Sequence, residues 1–149
     1  MKKTVIILST IIVIMIIGII YFSMDKKFVP PKFEENVKTF EKVPNEDKII
    51  RVNDDYAFYI DGIAKVKDKY IYVNFYSLTN DKTYLKVRVL QDDVIIAESG
   101  LLKKNEFVEK LKMKRSLIES KRITYLVMSY EKDTYYSLGE VRLNPTLKK

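Results

Sequence analysis

Residues Val5 to Phe22, VIILSTIIVIMIIGIIYF, constrain this chain more than any other stretch. No charge interrupts them, and thirteen of the eighteen are Ile, Leu, Val or Phe. At about 1.5 Å rise per residue such a helix covers roughly 30 Å, the hydrocarbon thickness of a bilayer. On an insertion scale of about −0.3 to −0.6 kcal/mol per apolar residue, the segment gains very roughly 4 to 8 kcal/mol in lipid. The expectation is a transmembrane signal-anchor helix over residues 4–23, embedded in the lipid bilayer through Val5–Phe22 and preceded by a short cytoplasmic N-terminus, residues 1–3.

Two rivals to an anchor are weighed. A cleaved signal peptide has a shorter apolar core that ends in small residues; here no alanine precedes Ala57, and Tyr21-Phe22-Ser23-Met24 is a poor cleavage site. A cleaved, secreted protein remains the alternative. A type IV pilin helix carries an acid near its start, and no acid occurs before Asp25. Orientation pits Lys2 and Lys3 against Lys26, Lys27, Lys32 and Lys38, which by positive charge alone favour a cytoplasmic C-terminus. A long C-terminal domain translocates largely regardless of charge. The reading is therefore a single-pass protein of the cell membrane, N-terminus inside and C-terminal domain outside.

The chain contains neither cysteine nor histidine nor tryptophan. This excludes disulfides, thiol nucleophiles, imidazole or thiolate metal sites and the commonest general base near neutral pH. Neither a nucleophile elbow nor a glycine-rich phosphate loop is present, and there are four glycines in all. The expectation is a non-enzyme without cofactor or metal. The paired acids Asp54-Asp55 and Asp92-Asp93 lack the spacing of a calcium loop and read as turns. Lys and Arg number 27 against 20 acids. That excess suits an anionic surface such as headgroups or wall polymer, but it is interspersed, and no nucleic acid is expected as partner.

Residues 24–45 read as a stalk carrying Pro30, Pro31 and Pro44. Phe33, Val37, Phe40 and Val43 recur at helical spacing, which allows a short amphipathic helix over 33–43. Beyond Glu46 the period changes to two. In Tyr70–Tyr76, Ile71, Val73 and Phe75 share one face and the tyrosines the other; in Tyr84–Val89, Leu85, Val87 and Val89 face inward and Lys86 and Arg88 outward. Further strands are expected at Ile49–Val52, Val94–Glu98, Ile123–Tyr130 and Tyr135–Leu143, the last with a bulge at Gly139. Asp61-Gly62 reads as a type I′ hairpin between YAFYI and IAKV. Phe107–Ile118 is ambiguous, read as strand through Met113 and then a turn or short helical piece at Ser116–Ser120. The spacing predicts an antiparallel Ig-like β-sandwich of about seven to eight strands over residues 46–145, with a small barrel as alternative, and a tail at 146–149.

Glu98-Ser99-Gly100-Leu-Leu-Lys, then Val108, Leu111 and Met113, Tyr125, and Gly139–Leu143 resemble the β-sandwich domain of small envelope-anchored proteins of low-GC Gram-positive bacteria. Lys104-Asn105 stands where that pattern has Pro-Gly, and Lys121-Arg122 occupies its later glycine region. The resemblance implies an accessory role in an envelope assembly such as conjugation, secretion or surface machinery, with protein partners there. The residues themselves offer one candidate binding face: Tyr70, Tyr72, Tyr76 and Tyr84 with Lys86 and Arg88, an aromatic and basic platform for wall glycan or anionic polymer.

Overall fold

The computed structural model describes residues 2–23, 28–54, 56–118 and 120–148, with side chains in the helix described at positions 6, 7 and 9–21. The chain divides into two compact units, Met1–Pro30 and Pro31–Lys149. The first contains helix α1, Lys2–Ser23, in which Ser9 and Thr10 return their hydroxyls to the carbonyl of Ile6. Its described isoleucines are exposed on every side, from Ile6 at 63% to Ile20 at 59%. Among the described residues no helix is long and apolar enough to cross a membrane.

The second unit is built from eleven strands: β1 (Lys38–Thr39), β2 (Ile50–Arg51), β3 (Ala57–Tyr59), β4 (Ile63–Lys67), β5 (Tyr70–Ser77), β6 (Thr83–Gln91), β7 (Val94–Glu98), β8 (Glu106–Lys112), β9 (Thr124–Glu131), β10 (Ser137–Leu143) and β11 (Thr146–Lys148). They form two sheets. The first runs β1-β8-β5-β3-β2, with β4 also on β5 and β11 on β4; the second runs β10-β9-β6-β7. Every pairing is antiparallel except β11 on β4. The alternation read in β5 and β6 places Ile71, Val73 and Phe75 against Leu85, Val87 and Val89 in one core, joined by Phe58, Tyr125 and Val127. Each such side chain removed from water contributes about 1.5–3 kcal/mol, and one core shared by both sheets is consistent with a β-sandwich.

Several expectations are corrected. Asp61-Gly62 is not a hairpin, for β3 and β4 both pair antiparallel with β5 and follow one another along the same edge. They are one long strand with a seam. The seam sits opposite a bulge in β5, where Asn74 has φ 42° and the register to β8 shifts between Tyr72 and Phe75. Asp61 stitches it: its carboxylate accepts from Tyr59 Oη at 2.8 Å and Asn74 Nδ2 at 2.6 Å, while its N–H donates to the Val73 carbonyl. The hairpin is one turn later, at Asp68-Lys69, with Asp68 at φ 55°.

Residues 33–43 are not helical. Lys32 and Glu34 exchange backbone hydrogen bonds with Leu101, and β1 pairs with β8. The apolar spacing serves an extended strap instead: Phe33 meets Tyr84 edge-on at 5.0 Å, Phe40 meets Tyr76 edge-on at 5.0 Å, and Val43 is buried. The folded unit thus begins at Pro31 and not at Glu46. The tail at 146–149 is also structured over Thr146–Lys148, as β11. After β8, Ser116–Ile118 form no helix, and Glu119 lies outside the described residues, as do Met24–Lys27 and Asp55. The bulge in β10 falls between Ser137 and Gly139, with Gly139 at φ 137°. Asp92 and Asp93 form the β6–β7 turn, both with the positive φ of a type I′ turn, 51° and 60°.

Candidate functional site

The six residues of the sequence-derived platform lie on two different sheets. Tyr70, Tyr72 and Tyr76 face outward from the first, Tyr84, Lys86 and Arg88 outward from the second, and the shared core separates them. Only Tyr70 and Tyr72 stand open on a common surface. Tyr76 stacks on Phe107 at 4.5 Å and is flanked by Phe40 and Tyr59, so the strap covers that end of the sheet. Burial, aided by the hydrogen bond to Asp61 and the charges of Asp61 and Tyr76, pushes the Tyr59 hydroxyl up to about 12. Tyr76 is raised by burial first and then by the charges of Asp61 and Glu109. Tyr84 is buried beneath Phe33.

Lys86 and Arg88 are committed elsewhere. Glu98, at the end of β7, receives Lys86 Nζ at 2.9 Å and Arg88 Nε at 3.0 Å on one oxygen and Lys114 Nζ on the other. Burial works against ionisation of this carboxylate. The Lys114, Lys86 and Arg88 hydrogen bonds outweigh it and hold the group down to about 2.

What sequence reasoning missed is the company Tyr70 and Tyr72 keep. Cross-strand neighbours in a sheet share a face. Lys65 of β4 is opposite Tyr72, and Tyr72 is opposite Lys110 of β8; Lys67 is opposite Tyr70, and Tyr70 is opposite Lys112. Two parallel rows result, Lys65–Tyr72–Lys110 and Lys67–Tyr70–Lys112. The first row extends to Lys148 of β11, which is in register with Lys65. All five lysines are exposed and both tyrosines half-exposed. Lys110 Nζ lies 4.6 Å from the Tyr70 ring centroid and 5.7 Å from that of Tyr72, so its charge also rests on aromatic faces. Glu109 is the acid beside this array, and it is engaged by Lys38 at 3.4 Å.

The array borders a groove of about 870 Å³, lined by Tyr70, the strap at Glu34–Lys38 and the Val108–Lys114 segment, with Glu98 at its wall. The groove mixes both signs of charge; the rows do not. A periodic set of ammonium groups beside aromatic rings can bind repeated anionic groups along a chain and stack planar or sugar surfaces between them. Among the described residues no group of three His, Cys, Asp or Glu side chains is placed to hold a metal ion.

The chain matches no protein-family profile, no curated protein and no solved structure. Its class is therefore defined by its own geometry. It is a mostly antiparallel two-sheet β-protein, consistent with a β-sandwich, with lysine–tyrosine–lysine rows on the outer face of one sheet.

Proposed function

We propose that this protein is a membrane-anchored extracytoplasmic binding module that holds an anionic, wall-type polymer on the lysine–tyrosine rows of its first sheet. The observation that carries this reading is the register of β4, β5 and β8, which sets Lys65, Lys67, Lys110 and Lys112 around Tyr70 and Tyr72 on one open face. Backbone ladders fix that face, so the charges are presented with little further ordering cost on binding. Four flanking lysines favour a polyanion over a neutral glycan, since each anionic repeat gains a charge-assisted contact.

The anchor reading rests on the uncharged run Val5–Phe22 and on the exposed isoleucines of α1, a composition suited to lipid. The strand orders β4-β5-β8 and β10-β9-β6-β7 support an Ig-like arrangement of the sandwich. In this reading the protein acts as an accessory scaffold of the cell envelope, N-terminus inside and sandwich outside.

The test is cosedimentation of the detergent-solubilised full chain with purified cell walls, before and after chemical removal of their anionic polymers. Binding is expected to fall with removal and with added salt. Replacing Lys65, Lys67, Lys110 and Lys112 with Gln should abolish it, and Tyr70→Ser with Tyr72→Ser should weaken it. Unchanged sedimentation of the four-lysine variant would refute the assignment. Protease added to intact cells tests the topology: the sandwich should be digested, and full protection would reverse the orientation.

A further inference from the structure

Strand β10 terminates the second sheet, and among the described residues nothing pairs with its outer side. The other open edges are shorter, the β8 edge being paired by β1 at Glu106 and Phe107 and bordered beyond them by the groove under the strap. Strands β1 and β2 have two residues each and β11 three, while the Ile96 carbonyl of β7 accepts the Lys114 N–H. With seven residues, β10 is the long open edge. Open edges template further pairing unless they are blocked.

The direction of its backbone groups follows from the ladder. On β6, Leu85 exchanges both backbone bonds with Leu102, and Val87 accepts from Ser99 N–H and donates to Ser99 Oγ, all on the β7 side. Antiparallel pairs alternate, so Lys86 and Arg88 bond toward β9, to Met128 and Leu126. The intervening β9 residues, Tyr125 and Val127, then turn to β10, to Leu143 and Val141. Glu140 and Arg142 are left with N–H and C=O aimed at the free side, and their side chains are exposed.

We propose that this edge pairs antiparallel with β10 of a second copy of this chain, the two-fold axis passing through Val141. Charge selects that occupant and that register. Registers that join outward-directed residues set Glu140 against Glu140, Arg142 against Arg142, or Glu140 against Arg142. The third alone is complementary, and symmetry supplies the ion pair twice. Backbone exchange at Glu140 and Arg142 gives four hydrogen bonds across the axis, and Leu138 opposite Asn144 extends the ladder until Pro145 ends it. The present partners of Arg142, Asp93 at 3.2 Å and Glu140 at 3.5 Å, are solvent-exposed pairs that give way readily. The result is a continuous eight-stranded sheet, two copies of the second sheet side by side.

The experiment is sedimentation equilibrium of the full chain in detergent over a concentration series. Wild type is expected to dimerise. Glu140→Arg sets two cations against each other across the axis and Arg142→Glu sets two acids, so each variant alone should remain monomeric. An equimolar mixture should recover dimers, because each edge then complements the other. That rescue also shows that both variants fold. A monomeric wild type, variants that dimerise as wild type does through any other surface, or a mixture that stays monomeric overturns the proposal. None of these readouts involves polymer binding.

Discussion

Glu98→Gln removes one negative charge from beneath three cations, and its consequence can be worked from the geometry. Lys86 is the most enclosed of the three, its side chain 13% exposed, with Arg88 at 32% and Lys114 at 57%. Glu98 is itself 19% exposed on the side chain. Its carboxyl lies at about 2 in the folded chain against an ordinary 4.5. A fall of that size corresponds to at most about 3.4 kcal/mol of native-state preference for the ionised form. Solvent at the rim screens part of it, because Lys114 and Arg88 are open to water, and about 1–2 kcal/mol is the expected cost at neutral pH.

The pH dependence separates charge from packing. The folded carboxyl is depressed, so its contribution is present in full above about 4.5 and is lost as pH falls from there through about 2. Wild type should lose the increment across that window. Glu98→Gln should show no such step, and the two melting curves should converge at the acid end. Urea unfolding of the full chain in detergent, followed by near-ultraviolet tyrosine dichroism, reads both. A difference between the two proteins that stays constant from neutral pH down to about 2 would refute the ionic account. Glu98 would then act through shape alone.

Two further substitutions test how the sandwich is tied together. Gly100→Ala places a Cβ into the backbone of Phe33 and Glu34, which pass directly over it, so the strap must lift away from Leu101; a loss of about 2–4 kcal/mol is expected, with hydrogen exchange at Glu34 N–H accelerating far more than at Val87 N–H. Gln91→Leu strips the Ile118–Lys121 segment of three hydrogen bonds, Nε2 to the Ile118 and Lys121 carbonyls at 2.9 and 3.1 Å and Oε1 from the Ile118 N–H at 2.8 Å. A cost of about 2–3 kcal/mol is expected, with proteolysis appearing at Arg115 or Lys121; an uncut loop would show that packing alone holds it.

The strands whose one face is core and other face solvent were legible because period-two alternation depends on nothing beyond the strand itself. Leu85, Val87 and Val89 alternate with Lys86 and Arg88 whatever pairs beside them. The strap was not legible. Phe33, Val37, Phe40 and Val43 are spaced for a helix, but Phe33 meets Tyr84, Phe40 meets Tyr76, Val37 packs against the core and Val43 is buried, and the backbone of residues 32–34 bonds to Leu101 rather than to itself. Nothing local distinguishes those outcomes. Gly100 held the only nearby signal: a glycine where a strand leaves its sheet marks a backbone passing close by.

The candidate face shows where a reading by residue type fails and a reading by register succeeds. Joining Tyr70 and Tyr72 to Lys86 and Arg88 assumed that outward residues of successive strands share a surface. In a sandwich they share one only if both strands lie in one sheet, and β5 and β6 do not. The lysines that do flank the tyrosines could have been found in the run Lys65-Val-Lys-Asp-Lys-Tyr-Ile-Tyr72. A two-residue turn at Asp68-Lys69 forces Lys67 opposite Tyr70 and Lys65 opposite Tyr72. Placing the hairpin at Asp61-Gly62 concealed this, because glycine is a strong turn signal and Asp68 reaches its positive φ without one. The third column, Lys110 and Lys112, comes from β8 across a long sequence separation, and its register depends on the extra residue at Asn74. Without that bulge the register that joins Phe75 to Val108 would carry on to set Tyr72 opposite Leu111, and the row would lose its β8 lysine. Deleting Asn74 would leave Tyr72 opposite Lys110 but make Val73 and Phe75 adjacent, taking one of them off the core face, so urea unfolding should show a clear loss of stability.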